Sequence, residues 1–263
     1  MEPATNAPPE DVLSPHAWGR APDLYGPRHA YREGLLLRRL RAELPGGRVL
    51  NAGCGAGSFT LALLERGYDV VSIDASNMFV EHLRSRLAER GRQAARVELG
   101  DVQNLELPDA SFDAVACGEV LEHLDDDLAA VREFERVLRP GGVVVASVPA
   151  NPWRYDWCDL WAGHRRRYTE AGLRRRLAAA GFTDVRVVSY GFPLTGLFHR
   201  RVYMPMLRRR LEAGDGAPGG GGSAQRRLAP VIRWALELDT LFVGRRPGYF
   251  GLIALARKPL PAR

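Results

Sequence analysis

Lysine is almost missing from this chain. Lys258 is the single lysine in 263 residues, so 36 of the 37 basic residues are arginine. A net charge of +6 by itself raises nucleic acid as a partner, but so one-sided a preference for arginine reads as codon bias rather than selection for phosphate contacts. The triplets Arg165–Arg167, Arg174–Arg176 and Arg208–Arg210 read as solvated helix faces and ends, and nucleic acid is not the expected partner. Cysteine is scarce too. Cys54, Cys117 and Cys158 are too few and too scattered for a disulfide framework or a thiolate zinc site, and they read as small buried residues rather than nucleophiles. No run of 18 apolar residues is present to span a bilayer, and the N-terminus lacks the basic, apolar, small-residue order of a signal peptide. The expectation is a soluble cytoplasmic protein. With 46% hydrophobic and 26% charged residues, wholesale disorder is excluded, and the length suits one principal domain.

What is there is an alternation. Residues 1–27 are rich in proline and alanine and read as a partly ordered arm, followed by a domain over 28–263. A helix is expected from Arg28 to Leu44, stopped by LPGG. Short apolar runs at 48–52, 69–74, 95–99, 112–117 and 142–148 have strand length, and helical stretches separate most of them. That rhythm predicts a parallel sheet with right-handed crossovers, an α/β fold. Leu128, Val131, Phe134 and Leu138 carry the inward stripe of a helix that the glycines of RPGG should end. The rhythm then breaks into an aromatic, arginine-rich insertion over 150–168. A helix at 170–180, a strand at 183–190 and a helical insertion over 192–243 follow, with amphipathic segments at 196–212 and 226–240 around a glycine-rich loop at 214–225. YFGLIALARK reads as a last strand.

VLNAGCGAGSFT places Gly53, Gly55 and Gly57 between a strand and a helix, where missing side chains let a ligand approach backbone and helix N-terminus. A nicotinamide fingerprint needs glycine or alanine at the sixth position, and Ser58 stands there, which weakens a dehydrogenase reading. Asp74 ends the second strand, where a carboxylate can take both hydroxyls of a ribose. Asp101 follows the third, placed for an adenine amino group.

On these residues, together with GDVQNLELPDASFDAV, GEVLEHL and LRPGGVVVASVP, the chain resembles the class I S-adenosylmethionine-dependent methyltransferases, in particular the methyltransferase type 11 and ubiquinone-biosynthesis O-methyltransferase group. The likeness runs from about Arg48 to Pro149. It implies a Rossmann-like sheet of seven strands, mostly parallel with the last antiparallel, and helices on both faces. It implies that Gly53, Gly55 and Gly57 pass the methionine part of S-adenosyl-L-methionine, that Asp74 holds the ribose and Asp101 the adenine, and that Gly118 offers backbone near the sulfonium. Arg32 resembles an arginine that touches the cofactor in ubiquinone-type enzymes. Asn51 departs from the pattern, since the family usually has an acid there.

GEVLEHL raises a separate question. If the segment is helical, Glu119, Glu122 and His123 share one face at i, i+3, i+4, as a metal site or as the polar start of a helix. The resemblance to ubiquinone-type and small-RNA 2′-O-methyltransferases implies a divalent metal, with His164 matching a later histidine. Two carboxylates and two imidazoles suit manganese, iron, cobalt or zinc better than magnesium. Without a metal, His123 or His164 is the candidate general base.

The acceptor expected is a small hydroxylated aromatic, quinone-like or natural-product molecule, methylated on oxygen. N-methylation, RNA 2′-O-methylation and non-catalytic binding of the cofactor are the alternatives. Peripheral membrane contact through GLFHRRVYMPMLRRRL and APVIRWALELDTLFV is a further expectation. Trp153, Tyr155, Trp157, Trp161 and Tyr168 supply candidates for an apolar wall over the site.

Overall fold

The computed structural model of the chain describes residues 26–212, 223–245 and 250–261. The arm at 1–27 therefore lies almost wholly outside the described residues; Gly26 precedes the first helix and Pro27 begins it. Seven strands form one sheet in the order β3-β2-β1-β4-β5-β7-β6: β1 Arg48–Ala52, β2 Asp69–Asp74, β3 Arg96–Leu99, β4 Phe112–Gly118, β5 Leu138–Pro149, β6 Thr183–Tyr190 and β7 Gly251–Arg257. Only β7 runs against its neighbours, pairing antiparallel with both β5 and β6.

The central strands are apolar on both faces because both faces are covered. Along β1, β4 and β5 successive residues go to opposite cores: Leu50, Val115 and Val144 pack with Phe134 of helix α4 (Asp127–Val137) and Leu173 of α6 (Glu170–Ala179). Val49, Ala114 and Val143 pack with Tyr31, Leu36 and Leu40 of α1 (Pro27–Glu43). That face also receives Phe59 and Leu63 of α2 (Ser58–Leu64) and Leu236 of α9 (Ser223–Glu237). Helix α3 (Asn77–Ala88) covers the β3 edge through Val80, Leu83 and Leu87.

Two local expectations differ in detail. Helix α4 stops at Val137, before the glycines of RPGG, because Leu138 is already extended and opens β5; Pro140 biases its predecessor away from the helical region. The buried stripe of α4 is accordingly Ala130, Val131, Phe134 and Val137. The first amphipathic segment is not one helix but α7 (Leu194–Phe198), a π-helical turn over His199–Tyr203 and α8 (Met204–Glu212). Of the glycine-rich loop, Ser223–Gln225 open α9 and the remainder falls outside the described residues.

The insertion over 150–168 leaves and rejoins the sheet at one point, since Ala150 bridges Tyr168. Between them lie a 3-10 turn at Pro152–Arg154 and α5 (Trp157–Trp161), started by a capping box of Asp156 and Asp159.

Candidate active site

The carboxyl ends of β1, β2, β4 and β5 meet at one edge, where open α/β sheets bind their ligands. Gly53, Gly55 and Gly57 all have positive φ, at 73°, 51° and 83°. Packing fixes two of them before any ligand is considered. A Cβ on Gly53 would stand 2.2 Å from Val120 Cγ2, and one on Gly57 2.1 Å from Leu83 Cδ1. The Gly55 N–H donates to Asp74 Oδ2 at 2.8 Å, and the Ser76 N–H to Asp74 Oδ1 at 2.9 Å, so Asp74 ties the glycine loop to the end of β2. Burial raises the Asp74 carboxyl above its ordinary range although both amide bonds pull the other way. Asp101 is exposed, its carboxylate accepting from Gln103 N at 2.9 Å. Asn51, the residue that departs from the family's acid, is buried and donates to Thr60 Oγ1 at 2.9 Å, which in turn meets Ser72 Oγ at 2.8 Å.

Helix α1 lays a polar row over this loop. Arg32 Nη2 donates to His29 Nδ1 at 2.9 Å, and Nη1 lies 3.7 Å from Glu119 Oε2. A Cβ on Gly118 would stand 3.9 Å from Arg32 Nη2, which sets the end of β4 beneath that guanidinium. One helical turn apart, His29 and Glu33 pair at 2.8 Å, and Ser58 Oγ donates to Glu33 at 2.7 Å. Burial alone would raise the Glu33 carboxyl; the bonds from His29 and Ser58 and the Arg32 charge hold it below the usual range. The i, i+4 spacing of His29 and Glu33 is the signal that the sequence carries for this pair.

GEVLEHL is not a helix. Glu119 takes a left-handed φ of 58°, and a single 3-10 turn, Leu121–His123, follows. The common face expected of Glu119, Glu122 and His123 is therefore lost, which is a correction. The Glu119 carboxylate turns toward α1 and β5, accepting from Ser147 Oγ at 3.1 Å and facing Arg32. Glu122 and His123 turn the other way, toward the insertion, and meet His164. One ligand atom from each of Glu122, His123 and His164 lies within 4.8 Å of the others, and the two imidazole rings stand edge to face, centroids 4.8 Å apart.

Both histidines of this cluster are oriented from behind. His164 Nδ1 meets Asp159 Oδ1 at 2.8 Å, while its Nε2 lies 3.9 Å from Glu122 Oε1. Asp159 is itself held by Arg167 Nε, at 2.8 and 2.9 Å to its two oxygens. Burial would raise the Asp159 carboxyl, but the bonds from His164 and Arg167 keep it low. His123 Nδ1 lies 3.2 Å from the Gly163 carbonyl. Burial first, and the neighbouring His164 second, push His123 down to about 4, so its imidazole is neutral at pH 7. Glu122 is fully buried, and neither carboxylate oxygen has a hydrogen-bond partner among the described residues. Burial and the Glu119 charge raise its carboxyl well above the ordinary value.

The triplet Arg165–Arg167 is what brings His164 here, not a solvated helix end as expected. The Arg165 N–H donates to the Glu122 carbonyl at 2.7 Å, Arg165 Nε to the His123 carbonyl at 2.9 Å, and Arg166 Nη2 to the carbonyls of Leu124 and Asp125 at 2.9 and 3.0 Å. Asp159 and Arg167, which complete the arrangement, carried no readable signal beyond the capping box at the start of α5.

The aromatic wall also differs from expectation. Trp161 and Tyr168 are core residues, and Trp153 is 75% exposed. Tyr190, Phe250, His199 and Tyr203 form a cluster of rings. Arg28 lies among them, bonded to His199 Nδ1, its guanidinium 4.5 Å over Tyr203 and 5.0 Å over Phe250.

Comparison with known proteins places this edge in context. Residues 50–146 match the family model described as a methyltransferase domain. The chain is 40% identical over 108 residues to the ubiquinone biosynthesis O-methyltransferase of Xanthomonas campestris, covering 41% of this chain and 45% of that protein. It is 33% identical over 147 residues to the malonyl-[acyl-carrier protein] O-methyltransferase of Serratia marcescens, covering 55% and 56%. The chain thus spans about half the length of the curated relatives it matches. Among solved structures, the phosphoethanolamine N-methyltransferase 2 of Haemonchus contortus in complex with S-adenosyl-L-methionine superposes with a TM-score of 0.60 at 16% identity, over 86% of this chain and 52% of that one. This is a likeness of fold.

Proposed function

We propose that this chain, which carries a class I S-adenosylmethionine-dependent methyltransferase domain, transfers a methyl group to a hydroxyl oxygen of a small aromatic, quinone-like or natural-product acceptor. The observation that carries the oxygen assignment is the buried, unpartnered Glu122 carboxylate within ligation distance of two imidazoles. An isolated carboxylate in such a place is costly unless a cation or a proton neutralises it. Two imidazoles and one carboxylate form a donor set for manganese, iron, cobalt or zinc, and each histidine has its other ring nitrogen anchored from behind, as metal-bound histidines do. A divalent ion held by Glu122, His123 and His164 would supply Lewis-acid polarisation of the acceptor hydroxyl.

The remaining roles belong to the chain itself. S-adenosyl-L-methionine supplies an electrophilic methyl on a sulfonium. In this reading the opened backbone at Gly53, Gly55 and Gly57 admits its methionine part, Asp74 takes the ribose hydroxyls, the exposed Asp101 takes the adenine amino group, and Gly118 and Arg32 border the sulfonium end. Glu119 sets Arg32 rather than serving as a ligand. Methyl transfer is an in-line displacement, so positioning and exclusion of water are what the protein must provide, and the Tyr190, His199, Tyr203 and Phe250 rings offer a wall for a flat acceptor. The relatives named as O-methyltransferases agree with oxygen as the atom methylated. Of the triplet Arg165–Arg167, the first two arginines are engaged with backbone carbonyls of the Glu122–Asp125 turn and the third with Asp159, which favours a small molecule over RNA as acceptor.

A second reading rests on the His164–Asp159 contact. With Nδ1–H donated to a carboxylate, His164 Nε2 is free to accept a proton, as an oriented general base does. The deciding experiment incubates the protein with labelled adenosylmethionine and fractionated small molecules of its source, identifies the labelled product, and repeats the turnover after metal stripping. Loss of turnover restored by manganese or cobalt supports the metal reading. Full turnover by stripped enzyme leaves His164 as base, and an N-methylated product overturns the oxygen assignment.

A further inference from the structure

Helix α9 and the 3-10 turn that continues it, Leu238–Phe242, are apolar on two opposite sides. The inner side belongs to the core. Leu236 is buried, Ile232 packs beside it against α1, and the buried Asp239 carboxylate accepts from the N–H groups of Leu194 and Thr195 at 2.8 and 2.7 Å. The outer side carries Val231, Trp234, Leu238 and Leu241, exposed by 61%, 69%, 43% and 62%. Their spacing of three, four and three residues keeps them in one stripe, and Phe242 is exposed beside it. Leu197 of α7 and Val202 of the π-helical turn are exposed as well, and α7 packs against both α9 and its 3-10 extension. A contiguous exposed face this apolar marks an interaction site.

The charge around the stripe selects the occupant. Residues 194–245 hold nine arginines against four acidic residues, and three of those acids are engaged, Asp239 in the core, Glu237 with Arg38 at 3.2 Å and Glu212 with Arg208 at 3.6 Å. Arg200, Arg201, Arg208, Arg209, Arg233 and Arg245 are exposed. A second copy of the chain on this face would set one arginine-rich surface against another. An anionic phospholipid surface meets both features, since tryptophan and leucine side chains enter the headgroup boundary while arginines face the lipid phosphates.

We propose that the outer face of α9, centred on Trp234, Leu238 and Leu241, docks this protein flat on an anionic phospholipid bilayer. No described helix is long and apolar enough to cross a membrane, so the contact lies in the plane of the interface. Because the π-helical turn next to α7 also supplies His199 and Tyr203 to the aromatic cluster around Arg28, docking sets that cluster beside the lipid.

The test needs no acceptor. The full-length protein is sedimented with vesicles of phosphatidylcholine alone and of phosphatidylcholine with about a third phosphatidylglycerol. Binding to the anionic vesicles, weakened by salt, is expected. The exposed double substitution Trp234→Ala, Leu241→Ser is expected to lower it by about tenfold or more, with an unchanged melting midpoint. Failure to sediment with anionic vesicles at low salt, or equal partitioning of the double variant, overturns the proposal. So does a solution dimer that the same substitution dissolves, because a second copy then occupies the face.

Discussion

His164 joins two carboxylates with its two ring nitrogens: Nδ1 lies 2.8 Å from Asp159 Oδ1, and Nε2 lies 3.9 Å from Glu122 Oε1. The first contact is a hydrogen bond that fixes the tautomer and the ring plane. The second is too long for one, and it leaves Nε2 and the Glu122 oxygen facing a shared point. Removing the anchor should therefore weaken whatever the second nitrogen holds. Asp159→Asn is expected to lower manganese or cobalt affinity by about 10–100-fold, read by titration calorimetry on metal-stripped protein and by the visible spectrum of the cobalt form. An affinity equal to wild type would remove Asp159 from the site.

Glu122 predicts a conflict between stability and binding. Its folded carboxyl is raised above the ordinary 4.5. Stability associated with its neutral form is complete below that value and is lost as pH rises through the folded value. Glu122→Gln removes the buried charge at constant shape. The metal-free variant should melt above metal-free wild type, the gap should widen as pH rises from 4.5, and manganese should no longer raise its midpoint. A variant that melts lower and still binds manganese would contradict this account.

His123 gives the opposite sign. It falls from 6.5 to about 4 in the fold, so between those values the unfolded chain binds more protons than the native one. The stability it contributes is complete above pH 6.5 and is lost as pH falls through about 4. Urea midpoints of metal-free protein should drop over this window in wild type and less steeply in His123→Gln. Parallel pH profiles for the two proteins would show that His123 is not shielded as the geometry has it.

Each Asp74 carboxylate oxygen accepts one hydrogen bond from a backbone N–H, of Gly55 and of Ser76. If Asp74 takes the ribose hydroxyls as proposed, Asp74→Ala should cost adenosylmethionine two hydrogen bonds at about 1.5–3 kcal/mol each, less what water recovers, and also release the glycine loop. A tenfold or larger loss of affinity by calorimetry is expected, with NADH binding neither protein. Asp74→Asn, which keeps an oxygen for the loop, should lose less.

The tryptophans of the insertion divide by burial. Trp161 is 1% exposed and packs with Cys158, Ala162 and Leu207 of α8, whereas Trp153 is 75% exposed. Trp161→Ala should destabilise the protein by about 3–5 kcal/mol, as deletion of a core aromatic does. Trp153→Ala should leave the denaturation midpoint unchanged. The reverse order would mean that the insertion packs differently.

The sequence by itself determined the sheet and the edge at which the candidate cofactor residues stand. Apolar runs of strand length separated by helical stretches allow few arrangements, and Gly53, Gly55, Gly57, Asp74 and Asp101 are legible because each stands at a strand end fixed by that local rhythm. The tertiary structure decided the rest. Nothing in GEVLEHL announces that Glu119 adopts a left-handed backbone, so spacing alone kept Glu119 with Glu122 and His123. The fold parts them, giving Glu119 to Arg32 and Ser147, and draws in His164 from 41 residues beyond His123. That convergence depends on side-chain contacts between distant segments: Arg165 and Arg166 on the carbonyls of the Glu122–Asp125 turn, and Arg167 on Asp159. Long-range bonds of this kind leave no periodicity in a sequence. The same holds for the two apolar sides of α9, where only packing against α1 decides which is core and which is left to the solvent.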